Sequence, residues 1–205
     1  MRRLVIDSAT ENCSVALIDD GILVAGDCLT LGRGHAERLV PMIAALPGNG
    51  HADAIAVDVG PGSFTGIRVG LAAARALAMA WGARLEGYES LALVAAMALA
   101  DHPSATVDVC MTGGHGEWFF QTFSADGTPL TQLVSLSPDD AIARSKAPLV
   151  AGSQAQAVAQ ARPGIRALDL RPDARRLALL APSAFHRDPR PSYGRAPDAR
   201  LPSAA

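Results

Sequence analysis

The chain has 205 residues, of which 49% are hydrophobic and 19% are charged, and its net charge is −2. This composition is typical of a folded protein of one or two domains and argues against an intrinsically disordered chain. The slightly acidic balance also argues against a basic surface that attracts nucleic acid or anionic lipid, so we expect any contact with RNA to be indirect.

The cysteine content and the hydropathy pattern indicate the compartment. The three cysteines are Cys13, Cys28 and Cys110, and no two of them form a Cys-x-x-Cys pair. This pattern argues against a disulfide framework and against a structural zinc site, and it favours a reducing compartment. The first residues are too polar for a signal peptide, and no apolar run is long enough to span a membrane. We therefore expect a cytoplasmic protein without a membrane segment.

The first thirty residues predict three antiparallel β-strands. Short runs with strand character occupy residues 3–9, 11–19 and 22–31. The sequence Asp19-Asp20-Gly21 separates the second run from the third and is a common hairpin signal. The chain is therefore expected to open with an antiparallel meander.

Helices and strands then alternate as far as residue 100. Apolar residues at helical spacing predict a helix that ends at Pro47-Gly48, and a continuous apolar run predicts a buried strand after it. A long helix, a further strand and a third helix follow. The strands cover residues 52–59 and 83–88, and the helices cover residues 33–48, 66–81 and 89–100.

This order of elements predicts the fold class. Three antiparallel strands followed by alternating helices and strands are the plan of the ribonuclease H-like half-domain. Actin, sugar kinases and Hsp70 ATPases each contain two such halves. After residue 102 the patterns are weaker, but they predict strands over residues 105–111, 116–124, 129–136 and 147–152 and helices over residues 138–146 and 153–161. We expect an α/β fold with two ribonuclease H-like subdomains, residues 1–102 and 103–205, the second smaller and ending in an extended tail.

The glycine-rich residues 60–66 raise the main functional question, because glycines between a strand and a helix often bind phosphate. No lysine follows the last glycine, so the loop is not a Walker A loop, and Pro61 removes one amide that could face a phosphate. A dinucleotide-binding unit would also not follow a meander. The favoured alternative is a turn that caps the next helix and permits close packing. The residues concerned are Gly60, Gly62, Ser63, Thr65 and Gly66.

The first hairpin offers a second candidate for phosphate binding. In actin-like ATPases, an aspartate at the end of the first strand and a hydroxyl-rich turn face the phosphates of the nucleotide. Asp7, Ser8, Thr10 and Asn12 occupy that place here, although polar side chains are ordinary in any turn. A nucleotide-binding phosphotransferase or ATPase is therefore the alternative function.

Signatures of metal binding and nucleophilic catalysis are weak. His35 lies near the start of a helix, but the position four residues later, on the same face, is Leu39. Ser63 does not lie in a Gly-x-Ser-x-Gly elbow, and no cysteine has a basic neighbour that would activate it. We therefore expect no catalytic residue, no metal and no cofactor.

The helix over residues 66–81 lacks the polar face of an ordinary surface helix, because Arg68 and Arg75 are its only charged residues. The preceding helix is also poor in polar surface. Such helices are covered either within the monomer or by another chain, and a stable dimer buries more than about 1,000 Å². We expect a helical partner surface formed by His35, Leu39, Met42, Ile43, Ile67, Arg68, Leu71, Ala74, Arg75 and Ala78.

Four parts of the chain resemble the bacterial TsaB (YeaZ) family. The resemblance is strongest over residues 4–95 and extends to both ends of the chain. The most specific match is the stretch Gly-Pro-Gly-Ser-Phe-Thr-Gly-Ile-Arg-Val-Gly at residues 60–70. The other three are residues 6–17 at the opening, residues 35–41 in the first helix and residues 191–199 near the end.

The resemblance implies a subunit of the machinery that makes threonylcarbamoyladenosine in tRNA, at the adenosine beside the anticodon. In this family the catalytic paralogue TsaD carries the metal-binding histidines and binds nucleotide. TsaB pairs with TsaD through helices, the ATPase TsaE joins the complex, and TsaB can also self-associate through the same surface. Leu39 stands where TsaD has its second histidine, which agrees with a non-catalytic role.

One segment departs from the family pattern. Relatives usually read Asp-Ala-Arg-x-Gly-Glu where this chain has Thr-Gly-Gly-His-Gly-Glu at residues 112–117. Any contact made by that aspartate and arginine in relatives therefore cannot be carried over to this chain.

Overall fold

The computed structural model describes residues 1–103 and 105–194 of the chain. Its first half is a five-stranded mixed sheet with the strand order β3-β2-β1-β4-β5. The first three strands are antiparallel to one another, while β4 lies parallel to β1 and β5 parallel to β4. The predicted meander and the predicted strands after it are confirmed. The strands are β1 (Arg2–Asp7), β2 (Asn12–Asp19), β3 (Ile22–Thr30), β4 (Ala54–Asp58) and β5 (Arg84–Tyr88).

The three predicted helices of this half are present as α1 (His35–Ala45), α2 (Phe64–Trp81) and α3 (Ser90–Asp101). Helices α1 and α2 pack side by side on one face of the sheet and share its hydrophobic core. Helix α2 ends at Gly82, which adopts the left-handed conformation that glycine accepts without strain. Within the described residues, no helix combines the length and hydropathy needed to cross a bilayer.

The second half repeats the topology of the first. Its sheet has the order β8-β7-β6-β9-β10, with β6, β7 and β8 antiparallel and β9 and β10 parallel to β6. This repeat confirms the predicted fold of two ribonuclease H-like subdomains. Strands β8 to β10 have three residues each, and both helices have seven, so the second subdomain is reduced. The elements are β6 (Val107–Thr112), β7 (Trp118–Phe123), β8 (Val134–Leu136), α4 (Pro138–Arg144), β9 (Leu149–Ala151), α5 (Ala155–Ala161) and β10 (Arg166–Leu168).

Helix α3 joins the two sheets and packs between them. Its residue Leu93 belongs to the core on the second face of the first sheet, whereas Leu91 and Val94 belong to the core of the second sheet. Helices α4 and α5 cover the outer face of the second sheet. The elements therefore form five layers, with α1 and α2 on one outside surface and α4 and α5 on the other.

The chain returns to the first sheet after residue 170. Arg171 pairs with Glu11 at 2.8 Å, and the amide of Ala174 donates to Ser14 Oγ at 2.9 Å. Farther on, the amide of Ser192 donates to the carbonyl of Val59 at 2.7 Å. The predicted boundary at residue 102 falls between α3 and β6, but residues 171–194 contact the first half, so the division at 102 stays a prediction.

Candidate functional site

The glycine-rich loop connects β4 to α2 and forms the first turn of the helix. Ser63 is the N-cap of α2, and its Oγ accepts a hydrogen bond from the amide of Gly66 at 3.2 Å. Thr65 is exposed in the same turn. The predicted helix cap is therefore confirmed.

The glycines of this loop lie directly against the backbone of the first hairpin turn. A Cβ atom at Gly62 would overlap the carbonyl oxygen of Ala9, and one at Gly66 would overlap the carbonyl oxygen of Ser8. Ser8 Oγ also donates to the carbonyl of Gly66 at 2.9 Å. Only glycine permits this approach of backbone to backbone, which confirms the close packing expected of the loop.

Two aspartates end adjacent parallel strands beneath the loop. Asp7 ends β1 and Asp58 ends β4, and the exposed fraction of each is 1% or less. Tyr88 Oη donates to Asp7 Oδ2 at 3.0 Å, and Asp58 accepts bonds from the Gly60 amide at 2.7 Å and the Ser90 hydroxyl at 2.7 Å. Burial raises the pKa of Asp7 to about 7, and burial followed by the Asp7 charge raises the pKa of Asp58 well above its usual value.

This arrangement leaves most polar residues at the first hairpin turn, between β1 and β2, engaged within the protein rather than free to bind phosphate. Asp7 is fully buried and bound to Tyr88, and Ser8 is used by the α2 backbone. Asn12 is also buried and accepts from Thr30 Oγ1 at 2.8 Å. Thr10 is the one residue of the four phosphate candidates that lines the neighbouring cleft. Asp58 was not named as a site residue in the sequence analysis. The available signal was its place as an acidic residue at the end of the strand next to β1.

A cleft of about 840 Å³ lies between the first hairpin turn, the start of α2, the β6–β7 turn and residues 189–194, which we call the terminal segment. The guanidinium carbon of Arg68 lies 3.6 Å from the centre of the Phe64 ring, and Arg68 Nε donates to Tyr193 Oη at 3.1 Å. The turn that departs from the family pattern, with Gly113 and Gly114, forms another wall. The family's terminal motif is described as far as Gly194, and residues 195–199 lie outside the described residues.

Most residues of the predicted partner surface point into the protein itself. Seven of the ten are at most 8% exposed, because the inner sides of α1 and α2 contact the first sheet. They cannot touch a partner directly in this fold. These seven are His35, Leu39, Met42, Ile43, Ile67, Leu71 and Ala74.

The three other residues of the predicted surface lie elsewhere on α2. Ala78 is half-buried, while Arg68 and Arg75 are exposed. Both arginines contact the terminal segment: Arg68 binds Tyr193, and Arg75 donates to the carbonyl of Pro189 at 2.9 Å. The terminal segment therefore runs along one flank of α2.

The side of α1 and α2 that faces away from the sheet carries exposed apolar residues next to Arg68 and Arg75. Val40 is 61% exposed and Met79 is 86% exposed. Small exposed side chains, Ala44 on α1 and Ala72 and Ala76 on α2, occur on the same two helices. We call this surface the outer helix face; it consists of Val40, Pro41 and Ala44 on α1 and Ala72, Ala76 and Met79 on α2.

The histidine and cysteine candidates have structural surroundings. His35 Nε2 lies 3.2 Å from the carbonyl oxygen of Asn12. Burial raises the pKa of the Cys13 thiol to about 11 and that of the Cys110 thiol to about 12, which disfavours the reactive thiolate. In the part of the chain that the structure describes, no three histidine, cysteine or acidic side chains are arranged to hold a metal.

Comparison with known proteins gives a consistent family. The family model for TsaD, tRNA N6-adenosine threonylcarbamoyltransferase, matches residues 30–170, which is more than half of the chain. The tRNA threonylcarbamoyladenosine biosynthesis protein TsaB of Escherichia coli is 35% identical over 62% of this chain and 56% of its own length. The Haemophilus influenzae protein of the same name is 34% identical over 57% of this chain and 51% of its own length. The matches thus span about half the length of these curated relatives.

The structural comparison covers more of the chain. YeaZ from Pseudomonas aeruginosa is 28% identical, has a TM-score of 0.74, and aligns over 89% of this chain and 91% of its own. The family model, the named relatives and this structure agree, and we conclude that the chain belongs to the TsaB (YeaZ) family of TsaD-related proteins.

Proposed function

We propose that this chain is a non-catalytic subunit in the biosynthesis of threonylcarbamoyladenosine in tRNA, and that it binds and supports the catalytic protein TsaD. Its relatives in two bacteria are named for this biosynthesis, and the matching family model is that of the transferase itself. The observation that carries the proposal is the outer helix face, an apolar surface on two neighbouring helices.

The chemistry of this face suits a helical partner. Ala72, Ala76 and Met79 lie at positions i, i+4 and i+7, so they form one exposed stripe along α2, which Arg75, at i+3, shares. The two alanines let the backbone of another helix come close, and the methionine adapts its shape to the surface that it meets. With the α1 residues, this stripe offers the centre of an interface that can exceed about 1,000 Å².

A role without catalysis agrees with the geometry of the first turn. The carboxylate of Asp7 is fully buried and bound by Tyr88, so it does not face the cleft in which a nucleotide would lie. Leu39 belongs to the hydrophobic core. The family resemblance implies that TsaD has a metal-binding histidine at this position. Both residues, Asp7 and Leu39, are buried and neither lines the cleft.

The other proposed partners follow from the family resemblance. TsaD would cover the outer helix face, the ATPase TsaE would join that pair, and tRNA would be reached only through TsaD. In the absence of TsaD, two copies of this chain would pair through the same face. The cysteine pattern favours a reducing compartment, so we place the protein in the cytoplasm.

Pairing with TsaD can be tested by changing the exposed stripe. Ala76→Glu combined with Met79→Glu places two carboxylates in the centre of the proposed contact, and we expect the affinity for TsaD of the same organism to fall by a factor of about 100 or more. Val24→Glu is the matched control, because Val24 is also an apolar residue, 47% exposed, but lies on β3. The measurement is size-exclusion co-elution together with calorimetric titration.

The controls decide how the result is interpreted. All variants should keep the circular dichroism spectrum and the melting temperature of the parent, because each changed side chain is exposed. If the doubly substituted α2 variant still binds TsaD like the parent, the proposed face is wrong. If the parent does not bind TsaD at all, the proposed function is wrong.

Nucleotide binding is the second candidate function, and the cleft of about 840 Å³ is the observation that favours it. Calorimetric titration of the isolated chain with ATP and magnesium distinguishes the two roles. Binding in the micromolar range would favour the nucleotide-dependent role, and the absence of heat up to millimolar ATP would favour the partner role.

A further inference from the structure

The buried aspartates Asp7 and Asp58 form a pair that neither the fold nor the proposed function explains. Their strands are adjacent and parallel, so the two carboxyl groups meet at the same edge of the sheet. The register pairs Ile6 with Val57, so Asp7 and Asp58 come next, side by side, on the two strands, and side chains at paired positions lie on the same face of a sheet. Two carboxylates this close repel each other strongly in a medium from which water is excluded.

The hydrogen-bond donors around the pair are too few for two full negative charges. Asp58 accepts hydrogen bonds from the amide of Gly60 and the hydroxyl of Ser90. Asp7 Oδ2 accepts a hydrogen bond from the hydroxyl of Tyr88. The other oxygen of Asp7, Oδ1, is buried and has no hydrogen-bond partner among the described residues. A buried acceptor without a donor is costly, and a proton on one carboxyl that points at the other supplies the missing donor.

The surrounding titratable groups do not neutralise the pair. They are all neutral or negative: Cys13 on β2, Cys28 on β3, Tyr88 on β5 and Asp173 ahead of the segment Ala174–Leu179. The two arginines nearest in sequence to Asp173 have other partners: Arg175 pairs with Asp173 itself, and Arg171 pairs with Glu11 and Asp169. Across the described residues, no ion pair includes Asp7 or Asp58. A shared proton is the remaining way to reduce the buried charge.

We propose that Asp7 and Asp58 hold one proton between them at neutral pH and that this proton fastens the glycine-rich loop and the start of α3 to the first sheet. The link is direct, because Asp58 binds both the Gly60 amide in the loop and Ser90, the first residue of α3. Loss of the proton places a second charge at the junction between the two subdomains. The junction therefore loosens as the pH rises.

The direction of the pH effect follows from the raised pKa values of the pair. Burial raises the pKa of Asp7 to about 7, although the Tyr88 hydroxyl and the neighbouring Asp58 oppose the rise. A group whose pKa is raised on folding contributes stability that is fully present below its unfolded pKa, near 4, and is lost as the pH rises through the folded pKa. The free energy of unfolding should therefore fall as the pH rises through about 7.

Asp58→Asn tests the proposal, because the asparagine amide keeps an acceptor for Gly60 and Ser90 and offers Asp7 a donor that does not titrate. We expect the urea midpoint of the parent to fall by about 1 M or more between about pH 5 and about pH 9, and that of Asp58→Asn to change by less than half as much. Asp108→Asn is the matched control. Asp108 is also buried and accepts four hydrogen bonds. Its loss should lower the midpoint, but the Asp7–Asp58 pair remains, so the midpoint should still fall between about pH 5 and about pH 9.

A direct measurement keeps the proposal testable if a variant fails to fold. Carboxyl-carbon NMR of the parent, with aspartate labelled, should show one aspartate that is still protonated at about pH 6, well above the ordinary aspartate pKa. This signal should be absent from Asp58→Asn and present in Asp108→Asn. The proposal is overturned if every aspartate of the parent is ionised by about pH 5, or if Asp58→Asn loses stability with rising pH as steeply as the parent.

Discussion

The substitution Gly66→Ala tests whether close packing, rather than ligand binding, requires the glycines of the loop. Gly66 lies inside α2, where alanine is favoured over glycine by about 1 kcal/mol. If Gly66 were an ordinary helix position, the substitution would therefore stabilise the protein. The structure predicts the opposite sign, because the added Cβ would overlap the carbonyl oxygen of Ser8.

The size of the effect follows from what the Cβ meets. The obstacle is backbone, held in place by the hydrogen bond from Ser8 Oγ to the Gly66 carbonyl, so it cannot move aside as a flexible side chain would. Inserting a methyl group into such a site costs about 1–3 kcal/mol, occasionally more. After subtraction of the gain in helix propensity, we expect a net loss of up to about 2 kcal/mol.

Urea denaturation followed by circular dichroism measures this difference directly. Gly114→Ala is the control, because its Cβ would meet no atom within 4 Å, and its effect should lie within about 0.5 kcal/mol. The reasoning is refuted if Gly66→Ala is as stable as the parent or more stable. It is also refuted if both variants lose the same free energy of unfolding.

Three further substitutions test other parts of the site. Ser63→Ala removes the N-cap of α2 and should lower the free energy of unfolding by about 1 kcal/mol, measured by urea denaturation. Leu39→Ala should cost about 2–5 kcal/mol because it leaves a cavity in the core, whereas Val40→Ala, on the exposed side of the same helix, should change stability by less than about 0.5 kcal/mol. Tyr88→Phe removes the hydroxyl that lowers the pKa of Asp7, so stability should continue to fall to higher pH than in the parent, as measured by urea midpoints across the pH range.

Strong local patterns made the first half of the fold predictable. The hairpin at residues 19–21 has positive φ angles at both Asp20 and Gly21, which is what the Asp-Gly signal predicts. Strand β10 was missed because it has three residues, Arg166–Leu168, and pairs only with β9. So short an edge strand has too few residues to show a periodic pattern.

The orientation of α2 could not be derived from hydropathy alone. The helix is apolar on nearly every side, and Leu71 and Ala74 were placed on the partner surface in the sequence analysis, whereas the structure buries both. The sheet selects the face that carries Gly66, Gly70 and Ala74, since these small residues let the helix lie against the first turn. Their spacing of four residues was visible in the sequence and is the signal that identifies the inner face.

This orientation separates the folding role of α2 from its proposed binding role. The inner side is fixed by glycine contacts with the first turn, and one flank is fixed by the contacts of Arg68 and Arg75 with the terminal segment. The outer stripe, including Met79, makes little contribution to the stability of the monomer because it remains exposed. A substitution there can remove a partner without unfolding the protein, whereas a glutamate at Leu71 would disrupt the core and make loss of binding uninterpretable.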